Sequence, residues 1–508
     1  MARLEDTGRL VGMRDLGVLP RSVVAADDTE LGFARADGIS RIAILSPKEA
    51  PVLKGFEGDA SQLGGRTLLV GPTSVRNVEA LREAVPHLRP KTLGLKTSAG
   101  LGDRLGLATP GHARAMRAAG GDVAPVFAQQ SIREMERANR TPQEVLDDAT
   151  WGAFAEGWTA GFGADADHLK TVEHVDACVA AGYSFFTFDP GAYVDDGAEV
   201  ADASTLRSAF DGLPWDDLED SPADLGRRYL HERFDAEGRE VRLDEITLSR
   251  AAVKYGRAVA HAARLYRHLE AAMGNGDFEV EVSVDETESP TTHAQHLYVA
   301  RELGRLGVRF VSLAPRYVGR FEKGVDYIGD VAEFEADLAV HAAIARTVPP
   351  DGPYKLSLHS GSDKFSIYPG FVRQTRGLAH LKTAGTSYLE ALRVAAALDA
   401  GLFREIYVFA RDRYEEDRAS YHVSAEVNRA PAPDDVSETD LTETDLTGLL
   451  EQFDAREILH VTFGSVLGEA RFREPFLGLL RDHPEHYAAG LETHFTKHLE
   501  PFATKGRA

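Results

Sequence analysis

Short apolar runs separated by longer helical patterns recur along this chain. From Arg66 the text RTLLVGPTSVRNVEALREAVPHLRPKTLGLKTSAGLGDRLGLATPGH reads as an apolar strand, a helical stretch and a second strand ending in glycines. Comparable runs follow at Phe185–Gly191 (FFTFDPG), Phe278–Glu288 (FEVEVSVDETE), Val308–Arg316 (VRFVSLAPR), Tyr354–Lys364 (YKLSLHSGSDK) and Ile406–Arg411 (IYVFAR). Between them, Arg250–Met273 sets Val259, Ala262, Tyr266, Leu269 and Met273 three or four residues apart, the buried stripe of a helix. Thr141, Pro142 and Glu144 form a capping box with proline in the first turn, so a helix starts there.

Strands alternating with helices predict a parallel sheet covered by helices. Several of these strands alternate polar with apolar residues, whereas strands of an open parallel sheet are buried on both faces and read as continuous apolar runs. The expected architecture is therefore α/β: a (β/α) TIM-type barrel over residues 126–430, with an N-terminal α/β extension over 1–125. A linker and C-terminal helical segment over 431–508 complete it. The acidic stretch at about 195–245 reads as a surface insertion, and Pro431–Gly448, with its internal duplication SETDLTETDLT, as the linker. Neither is expected to carry chemistry.

The 508 residues exceed what one core usually supports, so one large domain with additions, or two domains, is expected. A net charge of −23, from 57 Lys and Arg against 80 Asp and Glu, repels phosphate backbones and anionic lipid, which argues against nucleic-acid and membrane partners. That argument concerns surfaces; a pocket for a small anion needs only a few local cations. Cys178 is the single cysteine, no stretch approaches the ~20 apolar residues of a membrane span, and MARLEDTGRL has no apolar signal core. A cytoplasmic protein is expected, and assembly into a homo-oligomer is compatible with all of this.

The densest polar constellation is GFGADADHLKT at Gly161–Thr171, where Asp167 as a base beside His168 as a metal ligand is chemically coherent; the alternative is an acidic loop with a helix-capping Asp. In VEVSVDETE, period two puts Val280, Val282 and Val284 under the helices, with Glu281, Ser283 and Asp285 facing inward and Asp285 and Glu286 near the C-terminal mouth. An exposed edge strand is the alternative. The same parity brings His359 to the mouth, with Gly361 and Lys364 disposed toward an anion. His380 is the third ligand candidate, Lys382 follows it, and Arg316 is inward by parity and suited to grip a carboxylate. In RYVGRFEKGVDY, Glu322 or Asp326 offers a loop carboxylate. Each of these has a bland counterpart: a packed histidine, a structural ion pair or ordinary surface charge. Lys96–Gly106 contains G-x-G without the spacing of a dinucleotide fingerprint or a P-loop, and predicts a strained turn.

The block FAQQSIREMERANRTPQEVLDDATWGAFAEGWTAGFGADADHLKT at Phe127–Thr171, with SFFTFDPG, VDETESPTT, RFVSLAPRYVGRFEKGVDYIGD and LSLHSGSDKFSIYP, resembles the tagaturonate/fructuronate epimerase family from about Arg66 to beyond Ala379. The resemblance implies a divalent-metal enzyme interconverting two ketohexuronates, D-tagaturonate and D-fructuronate, with related members acting on neutral ketohexoses such as fructose and tagatose. It also implies Asp167 and His168 in ADADHLK, Glu286 in VDETE and His359 in LSLHSGSDK as site residues. Asp167 and Glu286 are thus expected to be catalytic, with Asp285 the alternative that parity favours over Glu286, and His168 and His359 to hold the metal, with His380 as the third candidate. Arg316, Lys364 and Lys382 are expected to bind substrate. Imidazole ligands suit Mn, Co, Ni or Zn better than Mg or Ca.

The two uronates differ at C4, a carbon β to the ketone, so abstraction of an α proton does not invert it. Retro-aldol cleavage of C3–C4, rotation of the aldehyde and re-addition does; transient oxidation at C4 needs NAD, for which there is no fingerprint, and direct proton exchange at C4 requires an unusually acidic C–H. The rival readings are a metal-dependent aldolase or lyase on a sugar acid, and a non-catalytic sugar-acid-binding protein.

Overall fold

The structure, a computed structural model, describes residues 9–503 apart from 49, 348–351, 384 and 438–442. Residues 438–442 of the duplication at 437–447 therefore lie outside the described residues.

Eight parallel strands close into a barrel in chain order: Ser98–Leu101, Ala124–Ser131, Gly163–Leu169, Phe185–Phe188, Glu279–Val284, Ser312–Pro315, Lys355–Leu358 and Ala379–Thr383. The eighth strand pairs with the first, His380 opposite Ser98 and Lys382 opposite Gly100. The barrel expected from alternation is thus present, but it begins at Ser98, inside the segment assigned to the N-terminal extension. The strand–helix–strand rhythm from Arg66 crosses a boundary. Arg66–Pro72 belongs to an antiparallel five-stranded sheet with Val24–Ala26, Thr29–Ala36, Ile39–Pro47 and Asp59–Leu63, while the glycine-bearing strand is the first of the barrel. The turn after it is organised by Asp103, whose carboxylate accepts from the N–H groups of Leu105, Gly106 and Ala108, with Gly106 at φ +75.

Ile406–Arg411, expected as a strand, is helical within Ala400–Asp417. Its buried residues, Phe403, Ile406, Tyr407, Ala410 and Tyr414, recur at the helical period; a six-residue apolar window is too short to separate the two periods. The stripe at Val259, Ala262, Tyr266 and Leu269 is buried in the helix Glu245–Met273, and the capping box at Thr141 and Glu144 starts the helix Pro142–Ala155. The acidic stretch folds into the helices Ala203–Asp211 and Pro222–Tyr229 and a small hairpin between the fourth strand and the helix that follows. C-terminal helices, among them Phe453–Val461 and Pro484–Leu499, pack on the outside of the barrel. No helix among the described residues is long and apolar enough to cross a membrane.

Candidate active site

The barrel interior is unusually polar, and strand parity explains most of it. Val280, Val282 and Val284 are buried on the helix side, and Glu281 and Ser283 are buried on the other. In the third strand, Asp165 and Asp167 share the inward face. His168 would point outward by parity, but its backbone takes φ +57 and the pairing with the fourth strand slips between Ala166 and Leu169. This bulge turns the imidazole back to the mouth, where Nδ1 lies 2.8 Å from Asp167 Oδ1. A positive φ at a non-glycine is uncommon and strained, and here it coincides with the densest charge cluster in the barrel.

Lys382 is the centre of that cluster. Its Nζ lies 2.8 Å from Asp165 Oδ2, 2.7 Å from Asp167 Oδ1 and 2.9 Å from Glu281 Oε1, and donates to Thr187 Oγ1 at 2.6 Å. Buried charges of this kind persist only when paired, since each unpaired one costs several kcal/mol. One ammonium does not neutralise three carboxylates, and two imidazoles share the remainder: His359 Nε2 is 2.6 Å from Glu281 Oε1, and His168 is on Asp167. Burial pushes the Asp165 carboxyl up to about 6 against the pull of Lys382. Asp167 is equally buried, yet His168 and Lys382 hold it well below the usual carboxylate range. Burial disfavours both imidazolium ions, but Asp167 and Glu286 keep His168 up at about 9, and Asp285 and Glu281 keep His359 up at about 10.

His168, Asp285 and His359 bring one nitrogen or oxygen each within 4.8 Å of the others, and His168, Asp189 and Glu286 form a second such group beside it. Each imidazole is gripped by a carboxylate on one nitrogen, His359 by Glu281 and His168 by Asp167, leaving His359 Nδ1 3.1 Å from Asp285 Oδ1 and His168 Nε2 3.8 Å from Glu286 Oε1. Carboxylate–histidine pairs of this form orient the imidazoles of metal sites. The fit to a divalent transition ion is chemical as well as geometric: with Glu281 on His359 Nε2 and Asp167 on His168 Nδ1, an ion would take the other nitrogen of each ring, His359 Nδ1 and His168 Nε2, displacing any proton there and leaving the carboxylate-held N–H groups in place.

The expected residues divide. Asp167, His168, Glu286 and His359 converge on the mouth, and Lys382, expected to bind substrate, lies beneath them, buried among Asp165, Asp167 and Glu281. His380 does not join them: it is fully buried one layer deeper, Nδ1 on Ser98 Oγ at 2.8 Å, and burial holds it well below the imidazole range. Asp285 occupies the place in the ligating group that was expected of His380. Lys364 lies elsewhere, fully buried, donating to the carbonyls of Glu322, Val325 and Ser362, so it supports a loop rather than a substrate. Arg316 follows the sixth strand with its backbone N–H on Thr291 Oγ1 and makes no described contact with the cluster. Of the loop carboxylates, Glu322 accepts from Ser424, and Asp326 accepts from Ser366.

The cations at the mouth are others. Arg133 Nη2 lies 3.1 Å from Glu286 Oε1, Lys170 Nζ lies 3.1 Å from Asp189 Oδ2 and 3.8 Å from Glu286 Oε2, and Lys323 donates to Ser360 Oγ at 2.9 Å. They follow the second, third and sixth strands, where barrel active sites are built. Arg133 and Lys323 lie inside FAQQSIREM and RFEKGVDY, and their position just past a strand end was the available signal.

Residues 19–502 match the family described as tagaturonate epimerase, UxaE. The chain is 43% identical over 469 residues to the tagaturonate/fructuronate epimerase of Thermotoga maritima, covering 92% of this chain and 93% of that one. Among solved structures, native fructuronate-tagaturonate epimerase UxaE from Cohnella laeviribosi is 34% identical with a TM-score of 0.87, covering 95% of this chain and 96% of that one. A glycerol complex of the same protein gives the same identity and TM-score over 96% and 97%.

Proposed function

The chain belongs to the tagaturonate epimerase family, and from that premise we propose that it interconverts D-tagaturonate and D-fructuronate in the cytoplasm, inverting C4 with a divalent transition metal held by His168, Asp285 and His359. The observation that carries the reading is the convergence of that ligand group with Asp167 and Glu286 at the barrel mouth. When bound, the ion supplies Lewis-acid stabilisation of negative charge on the ketone and C3 oxygens.

The residues of the chain do the rest. Asp167, kept ionised by Lys382 and His168, takes the proton of the C4 hydroxyl as C3–C4 breaks, giving an aldehyde and an enediolate. The aldehyde rotates and re-adds through its other face, the C4 alkoxide so formed takes a proton from Glu286 at the opposite side of His168, and exchange with solvent then removes the proton left on Asp167 and restores the one on Glu286. Lys382 moves with neither fragment: it is locked among Asp165, Asp167 and Glu281 and sets the charge of the floor. Arg133, Lys170 and Lys323 supply local positive charge for the uronate carboxylate on an otherwise acidic protein. The same site is chemically competent toward neutral D-fructose and D-tagatose, without that charge contribution.

NMR of D-fructuronate with chelator-treated and metal-reconstituted protein tests this. Tagaturonate is expected only after reconstitution. Conversion by protein shown to be metal-free overturns the metal requirement, and release of two fragments in place of an epimer favours an aldolase.

A further inference from the structure

Outside the barrel mouth, a second histidine–carboxylate cluster lies between the helices that follow the fifth and sixth strands, His293–Arg305 and Val331–Thr347. His293 Nε2 is 2.9 Å from Asp337 Oδ1, and His341 Nε2 is 3.4 Å from Asp337 Oδ2. All three residues present a ligating atom within 4.8 Å of the others. Asp337 and His341 are four apart on one helix and so share a face, and His293 begins the neighbouring helix.

Behind the cluster is a buried relay. His341 Nδ1 lies 2.8 Å from His296 Nδ1, and His296 Nε2 lies 2.6 Å from Tyr354 Oη. Both imidazoles are fully buried, and a hydrogen bond between the two Nδ1 atoms requires a proton on one of them and a lone pair on the other. If His341 holds the proton, His296 accepts at Nδ1 and donates from Nε2 to Tyr354 Oη. His341 Nε2 then carries a bare lone pair toward the Asp337 carboxylate, an arrangement that a cation between them makes favourable. If His296 holds it, His341 Nε2 carries a proton, yet no hydrogen bond closes at that atom, which is buried. The first tautomer is the one a metal-ligating histidine needs, with its second nitrogen donating to a fixed acceptor.

We propose that His293, Asp337 and His341 form a second metal site, separate from the barrel mouth, for a zinc-type divalent ion. Two imidazoles and one carboxylate are a common zinc donor set. His293 and Asp337 are partly exposed, so the site opens to solvent and a water completes the coordination. The ion ties the start of the helix after the Asp285–Glu286 loop to the helix of the next barrel unit. Its role is structural, and no part of the epimerisation is assigned to it.

The test uses zinc alone. Chelator-treated wild type, His293→Ala and His359→Ala are titrated with Zn2+ by calorimetry, and metal content is read after gel filtration. Wild type should bind about one more zinc ion per chain than His293→Ala, which lacks this site and keeps metal-dependent turnover. His359→Ala should lose the ion at the barrel mouth and retain the one here. Asp337→Asn provides a second disruption that preserves shape and should match His293→Ala in stoichiometry. Equal zinc content in wild type, His293→Ala and Asp337→Asn overturns the proposal whatever happens at His359, as does extra zinc whose affinity these substitutions leave unchanged, which marks an adventitious ion only.

Discussion

Glu281 Oε1 lies 2.6 Å from His359 Nε2, on a carboxylate that is completely buried and also receives Lys382. One carboxylate therefore orients the imidazole and anchors the ammonium. Glu281→Gln should weaken metal binding about 10–100-fold, the usual cost of losing such a partner. Competition with a chelator measures it. Unchanged affinity would remove Glu281 from the support of the ion.

Asp167 has two possible duties, since its Oδ1 touches both His168 Nδ1 and Lys382 Nζ while Oδ2 accepts from Gln129. Asp167→Asn should retain metal and lose turnover by about 10²–10⁴-fold, because the amide keeps the shape but does not take a proton. Metal content and kcat are read together. Loss of the ion with proportional loss of rate would make Asp167 a positioning residue for His168 and leave Glu286 as the only proton carrier in the account.

Arg133 and Lys323 should discriminate uronates from neutral ketohexoses. Arg133→Ala should raise KM for D-fructuronate by about 10-fold or more, the scale of a charge-assisted hydrogen bond, and leave KM for D-fructose unchanged. Equal effects on both substrates would mean that Arg133 acts through its contact with Glu286 and not on the substrate carboxylate.

Away from the site, Glu457 predicts a pH dependence of stability. Its Oε2 accepts from the N–H groups of Ser424 and Ala425, beside Glu322, which accepts from the same Ser424. Burial, with Glu322 close by, raises its carboxyl from 4.5 to about 8. The folded state thus binds more protons than the unfolded one between those values, so this group's contribution is full below 4.5 and is lost as pH rises through about 8. Glu457→Gln, still able to accept both N–H groups, should lack that slope and be the more stable protein at pH 9. Chemical denaturation across the pH range checks it, and parallel curves for the two proteins would contradict it.

The fold was legible wherever alternation was complete. Val280, Val282 and Val284 against Glu281 and Ser283 need only period two, and the structure buries both sets on the expected sides. Period is a poor guide in short windows, which is why Ile406–Arg411 read as a strand. Parity also gives a face and not a depth. His380 and Lys382 share the inward face, but His380 lies level with Ser98 and Ser357 and is sealed below the mouth. His168 is the converse case, a residue of the wrong parity brought to the site by a bulge that no spacing announces. Lys364 was misread because its partners come from the carbonyls of residues 322–325, a loop whose path over the strand end is a tertiary fact.

The central claim is C4 inversion by carbon–carbon cleavage at the His168–His359 site, and D-fructuronate deuterated at C4 tests it most directly. In cleavage the C4 hydrogen stays on its carbon as the aldehyde hydrogen, so metal-reconstituted enzyme should yield tagaturonate that retains the label, with a carbon-13 isotope effect at C3 and C4. Loss of deuterium to water at the rate of epimerisation would contradict cleavage and require direct proton transfer between Asp167 and Glu286.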